Sequence, residues 1–176
     1  HFVQEIKEES KRCVKIVQNL LDYARAPNLN RKPIEINSLL DQTVEFAAGH
    51  ADFDNINIIK DFSAKIGVIE IDDDQIRQVI INLMLNAAAA MKNGGDLLIT
   101  TRKKNSMIEI VFKDSGRGIA PEHLKEVYEP FFTTKKKGTG LGLAISRQIV
   151  EAHLGSMDIE SVVGAGTKVT ITMPLA

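Results

Sequence analysis

Cysteine is nearly missing from these 176 residues. Cys13 stands alone, so no internal disulfide and no cysteine-built metal site can form. No apolar run approaches the roughly 20 residues that span a bilayer, and no signal-peptide pattern opens the chain. These absences point to a cytoplasmic chain and leave open a longer parent protein anchored in a membrane. Charge of one sign is lacking as well: 22 Lys and Arg face 23 Asp and Glu, for a net charge of −1. That balance argues against nucleic acid held by bulk charge. There is no internal repeat and no low-complexity tract. Apolar surface, by contrast, is plentiful. Hydrophobic residues make up 44% of the chain, enough for the core of one ordinary domain with a little length left over.

Taken in order, residues 1–26 read as one amphipathic helix. Val3, Ile6, Val14, Val17, Leu20, Leu21 and Ala24 recur at steps of three and four between Lys, Glu and Arg, until Pro27 ends the pattern. A lone helix cannot bury such a stripe, so it packs either on a partner helix, in another chain for example, or back on its own domain. Residues 27–33, polar and bounded by prolines, form a linker or hinge. Ile34 and Ile36 mark a short strand, and Asn37 is placed to cap a helix reaching Ala48. Residues 56–62 and 67–71 read as two short strands separated by a turn.

Asp72-Asp73-Asp74 invites a metal-binding interpretation, but Asp72 followed three residues later by Gln75 is a capping box, and the structural role is favoured. The helix beyond this cap runs to Met91 and is apolar on most sides. Asn82 and Asn86 interrupt it, spaced i, i+4 on one face. Buried amides need partners, and two readings stand equal: they satisfy neighbouring backbone, or they reach a ligand or a ligand-bound cation. Beyond the turn at Asn93-Gly94-Gly95, residues 97–101 and 107–112 alternate as an antiparallel pair. Residues 141–153 are helical, and residues 157–162 and 167–173 form a closing hairpin. A long helix, a linker, then mixed helices and hairpins give an α+β class, with helices covering one face of a mixed or antiparallel sheet.

The stretch from 114 to 145 carries the chemistry. It reads D-S-G-R-G-I-A, then E-P-F-F-T-T-K-K-K, then G-T-G-L-G-L-A-I. An apolar strand delivers Asp114 into a turn opened by Gly116 and Gly118. Gly138, Gly140 and Gly142 then precede a helix, where free backbone N–H groups and the helix dipole suit an anion. A carboxylate loop and then an anion loop point to a nucleotide gripped at both ends. The second loop lacks the Lys-Ser/Thr of a P-loop and the spacing of a dinucleotide fingerprint. The catalytic-loop signatures of Ser/Thr/Tyr kinases are missing too.

Together with N-L-M-L-N-A, these segments resemble, in order, the N, first glycine, F and second glycine boxes of the sensor histidine kinases. The catalytic domain of that family shares its ATP-binding Bergerat fold with type II topoisomerases, HSP90 chaperones and MutL. The resemblance covers about residues 33–175, and the segment between the F and second glycine boxes is most similar to the nitrogen-regulator branch. It implies a two-layer α/β sandwich preceded by one long helix. It also implies ATP and Mg²⁺ as ligands and γ-phosphoryl transfer to a histidine, with relay to the aspartate of a response-regulator receiver domain. By resemblance, Asp114 accepts from the adenine amino group while Gly116, Gly118 and Ile119 let backbone pass the nucleotide. Asn86 binds Mg²⁺ through its carbonyl oxygen, and Asn82 approaches the metal or the phosphates; these two amides are the catalytic candidates. Gly138, Thr139, Gly140, Leu141, Gly142 and Leu143 form the lid hinge and phosphate nest, and Phe132, Thr133, Thr134, Lys135, Lys137 and Thr167 complete the nucleotide set. The lysines 135–137 neutralise phosphate or are simply a solvated loop face. Phe131 and Phe132 anchor the lid or touch the helical domain rather than stack on the base.

Asn82 discriminates further. ATP-hydrolysing relatives resemble E-x-x-x-N at this point, with the Glu activating water; here the pattern is N-x-x-x-N, and an amide is no general base. Two departures from the family matter. His1 lacks the surroundings of a phosphoacceptor, so no acceptor is assigned in this chain. Residues 1–26 resemble the second helix of a dimerisation hairpin, which implies a homodimer in the full-length protein. H-L-G at 153–155 replaces the usual His-Gly-Gly. His50, His123 and His153 are read as surface or packing residues. The expected division is therefore a dimerisation helix at 1–26, a linker at 27–33 and an ATP-binding catalytic domain at 34–176. Two alternatives remain: a conformational ATPase, and a non-enzymatic module acting through residues 1–26.

Overall fold

The computed structural model describes residues 29–64, 66–135 and 138–175, together with Ile6, Lys7, Ser10, Val14, Val17, Leu20 and Leu21. Those seven are helical and exposed; the rest of the helix expected over 1–26, and the start of the linker, lie outside the described residues. In chain order the elements are β1 (Lys32–Glu35), α1 (Ile36–Ala48), a short 3-10 turn (Ala51–Phe53), β2 (Ile56–Phe62), β3 (Val68–Ile71) and α2 (Asp73–Ala90). They continue with β4 (Gly95–Lys104), β5 (Met107–Asp114), α3 (Pro121–Leu124), α4 (Gly142–Ala152), β6 (Ser156–Val162) and β7 (Gly166–Pro174).

Five strands form one mixed sheet in the order β2-β4-β5-β7-β6. The β2–β4 pair is parallel and the other three pairs are antiparallel. Alternation along the strands sorts the two faces. Leu97, Ile99, Ile108, Ile110, Phe112, Val169, Ile171 and Met173 all point into one core. Lys113 is exposed between them, and Val111 and Thr170 are only partly covered. Helices lie over the buried face, with α2 packed between α1 and α4. That central place explains why α2 is apolar on most sides: Ile76, Val79, Ile80, Leu83, Met84, Ala87 and Ala88 are all buried. The expected two-layer α+β sandwich is the architecture observed.

Local details depart from expectation in three places. The cap of α1 is Glu35 rather than Asn37: the Glu35 carboxylate accepts from the backbone N–H of Asn37 at 3.3 Å and of Ser38 at 2.6 Å. Asn37 is drawn away by the sheet, donating to the Ser63 carbonyl at 2.9 Å and accepting from the Thr101 hydroxyl at 2.9 Å. Ile36, expected in the first strand, opens α1 instead, so β1 ends at Glu35 and pairs antiparallel with β3 in a separate two-stranded sheet. At the start of α2, Asp72 caps the Gln75 N–H at 3.2 Å, but Gln75 does not answer. The Asp72 N–H donates instead to His153 Nε2, 3.0 Å away at the end of α4.

Candidate functional site

Period-2 alternation aims Asp114. Counting Ile108, Ile110 and Phe112 along β5, the next inward position is Asp114, flanked in register by Leu97 on β4 and Thr167 on β7. The carboxylate is therefore buried for the same reason as its apolar neighbours, at 7% exposure. Its Oδ1 accepts two backbone N–H groups, from Gly116 at 2.8 Å and Thr167 at 3.2 Å, which leaves Oδ2 to the cavity that Asp114 lines. Burial pushes the Asp114 pKa up, and the two N–H donors only partly oppose it.

That cavity measures about 590 Å³, a size suited to a nucleotide. Asn82, Asn86, Asp114, Gly118, Ile119 and Thr167 line it from α2, the sheet and the turn after β5. Phe132, Thr133, Thr134, Lys135, Gly138, Thr139, Gly140, Gly142 and Leu143 line it from the long loop and the start of α4. Two candidates stay off the wall. Gly116 packs behind Asp114 against Ala90, and Leu141 is fully buried in the core. Lys137 lies outside the described residues. At Gly118 the backbone adopts φ +71°, and a methyl group there would run into the Val162 carbonyl oxygen, so the turn closes only with glycine.

The two amides of α2 are satisfied by side chains rather than by backbone. Asn82 Nδ2 donates to the Ser146 hydroxyl on α4 at 2.8 Å, and Asn82 Oδ1 packs so closely on Gly142 that a methyl group would collide with it. Asn86 Oδ1 accepts from the Lys135 ammonium at 2.7 Å. Burial, with Arg117 nearby, lowers the Lys135 pKa. Phe132 lines the cavity and sits 5.4 Å from the His123 ring at a tilt of 52°, whereas Phe131 is 58% exposed. Sequence reasoning missed Arg117, His123, Val127, Ile159 and Val163 on the cavity wall. Only the apolar positions of the last hairpin carried a signal, because β6 alternates and must turn one face inward.

The chain resembles known proteins over this same region. Residues 71–176 match the family described as "Histidine kinase-, DNA gyrase B-, and HSP90-like ATPase". Sensor histidine kinase ZraS of Escherichia coli O157:H7 is 31% identical over 174 residues, covering 99% of this chain and 38% of the relative. The chain thus spans well under half the length of that relative. Among solved structures, full-length ShkA in complex with AMPPNP superposes with a TM-score of 0.87 at 26% identity, over 99% of this chain and 38% of that one. Histidine kinase ThkA in complex with response regulator protein TrrA superposes at 0.83 with 27% identity, over 99% of this chain and 51% of that one.

Proposed function

Because the chain belongs to the family of histidine kinase-, DNA gyrase B- and HSP90-like ATPases, we propose that it is the ATP-binding catalytic part of a sensor histidine kinase. In this reading it presents the γ-phosphoryl group of ATP to a histidine outside these residues, for relay to a response-regulator aspartate. Residues 34–176 are the nucleotide-binding unit, residues 27–33 the linker, and residues 1–26 the helix through which two copies pair. The kinship with AMPPNP-bound ShkA and with ThkA bound to a response regulator supports both partners. Among the described residues no helix is long and apolar enough to cross a membrane. A reaction that consumes ATP places the proposed site of action in the cytoplasm.

Asp114 is the observation that carries the reading. A carboxylate offers only acceptors, and this one is buried with one oxygen already engaged. An exocyclic amino group of adenine supplies the donor that Oδ2 lacks. The carboxylate thereby selects an amino-bearing base. On the phosphate side, the backbone at Thr139 and Gly140 offers N–H groups to the anion, and Lys135 and Arg117 add positive charge. Asn86 is a fit ligand for Mg²⁺, because its neutral oxygen already accepts a cation, the Lys135 ammonium. Among the described residues no cluster of three or more His, Cys, Asp or Glu side chains is present. The metal would therefore rest on one amide oxygen, the phosphates and water. Bound Mg²⁺ neutralises charge on the transferring phosphoryl group. Asn82 ties α2 to α4 through Ser146, so it positions the phosphate loop without activating water.

Calorimetric titration with AMPPNP tests this. The chain should bind, more tightly with Mg²⁺. Asp114→Asn sets an amide donor where an acceptor is needed and should weaken binding by about tenfold or more, the worth of a hydrogen bond to a charged group. Equal affinity of the two proteins would refute the adenine role.

A further inference from the structure

Ser161 closes a hydrogen-bond junction behind the Asp114 end of the cavity. It follows Met157 and Ile159 on the inward side of β6 and stands opposite Thr167 of β7 in register. Three groups converge on its hydroxyl: the Gly166 carbonyl at 2.8 Å, the Ile119 N–H at 2.9 Å and Thr167 Oγ1 at 3.0 Å. A hydroxyl has one proton to give. A carbonyl oxygen only accepts, so the Ser161 proton goes to Gly166. An N–H only donates, so Ile119 occupies one Ser161 lone pair. Thr167 is therefore the donor in the third contact. The arrangement is fixed from behind, because Gly166 sits at φ +105° and a methyl group there would run into the Asp114 carbonyl oxygen. Thr167 lines the cavity beside Asp114, its register partner on β5, and its hydroxyl has no other hydrogen bond among the described residues. With the proton turned away, Thr167 Oγ1 has only lone pairs left to offer.

We propose that Ser161 is a positioning residue for base selection: by taking the Thr167 proton it keeps Thr167 Oγ1 an acceptor, alongside Asp114 Oδ2. This rests on the nucleotide reading above and adds the residue that sets the selectivity of that site. The two hydrogens of the adenine amino group then meet two acceptors side by side. A base with a carbonyl at the same position brings lone pairs against lone pairs, and both acceptors go unpaired. Ser161 is absent from the cavity wall, so it acts through Thr167 and through the Ile119 turn that it holds.

Calorimetric titrations of the intact chain with ADP and with inosine diphosphate test this relay. The two ligands differ at the base, where inosine carries a carbonyl in place of the amino group. The wild type should favour ADP, and the readout is the ratio of the two Kd values. Ser161→Ala frees the Thr167 proton to turn into the cavity and donate to the inosine carbonyl. The preference for ADP should then shrink about tenfold, the worth of one hydrogen bond moved from one ligand to the other. Ser161→Thr keeps the hydroxyl and should keep the wild-type ratio. Ser161→Cys fills the same space with a weak acceptor; it should also shrink the ratio, and it carries the test if Ser161→Ala does not fold. A ratio equal to that of the wild type in these two variants overturns the relay, even if both affinities fall in parallel, and leaves the nucleotide site standing. Failure of the wild-type chain to bind ADP overturns both.

Discussion

In the proposed kinase, the amide at position 82 is the residue that sets the fate of the γ-phosphoryl group once a nucleotide is held. Its Nδ2 is committed to Ser146 and its Oδ1 is wedged against Gly142, so it can orient the start of α4 but cannot take a proton from water. A glutamate there is one methylene longer, lines the same cavity and is a base. Asn82→Glu should raise the steady-state rate of ATP hydrolysis by about tenfold, below the full range for a positioned general base because the rest of the site is not built around water. Phosphate release assays on the two proteins check this, and an unchanged rate would mean that water has no access beside residue 82. At this scale the site was half legible. Asp114 announced itself because strand alternation and an adjoining glycine turn are local facts. The partners of the amides did not, since Ser146 lies 64 residues from Asn82 and Lys135 lies 49 from Asn86, joined only by the fold.

Among elements, the long and strongly patterned ones were readable and their junctions were not. The period of α2 and the alternation of β4, β5 and β7 are intrinsic to each segment. Which strands pair is not, and β1 found β3 while β2 found β4. The joint between α2 and α4 shows how a tertiary partner overrides a local signal: His153, not Gln75, accepts the Asp72 N–H. The ring is fixed as the Nε2 acceptor because Nδ1 lies 2.7 Å from the Ile149 carbonyl and must donate to it. Burial, aided by Arg31, holds the imidazole pKa below its ordinary value of about 6.5, although the Ile149 bond and the Asp72 charge pull the other way. For Asp72, burial disfavours the charge, but the N–H donors of Asn30 and Gln75, with help from His153, outweigh it and keep the carboxyl low. As the pH falls below about 6.5 the unfolded chain takes up a proton that the folded His153 resists, so stability must fall. The Asp72 contribution persists to lower pH and is lost only as that carboxylate protonates. Urea midpoints measured at pH 7.5 and 5.5 should drop for the wild type and drop less for His153→Gln, which cannot titrate. Parallel drops would assign the acid sensitivity elsewhere.

For the whole molecule the unsolved surface is the helical stripe ahead of the linker. Ile6, Val14, Val17, Leu20 and Leu21 are helical and between 42% and 69% exposed in the single chain, and none joins the core of the sandwich. Leaving that much apolar area in water costs about 25 cal/mol per Å², and the core of the sandwich does not cover these residues. A second copy does, since two identical stripes related by a twofold axis bury each other without any new partner. The chain should therefore sediment as a concentration-dependent dimer. Replacing Val14, Val17 and Leu21 together by Gln keeps helix propensity and removes the driving force, so the triple variant should be monomeric over the same range. Its AMPPNP affinity should match the wild type, because the described residues that line the cavity all lie between Asn82 and Val169. A wild-type chain that stays monomeric would reject pairing through this helix. A triple variant that loses nucleotide would instead show that the stripe braces the sandwich from outside.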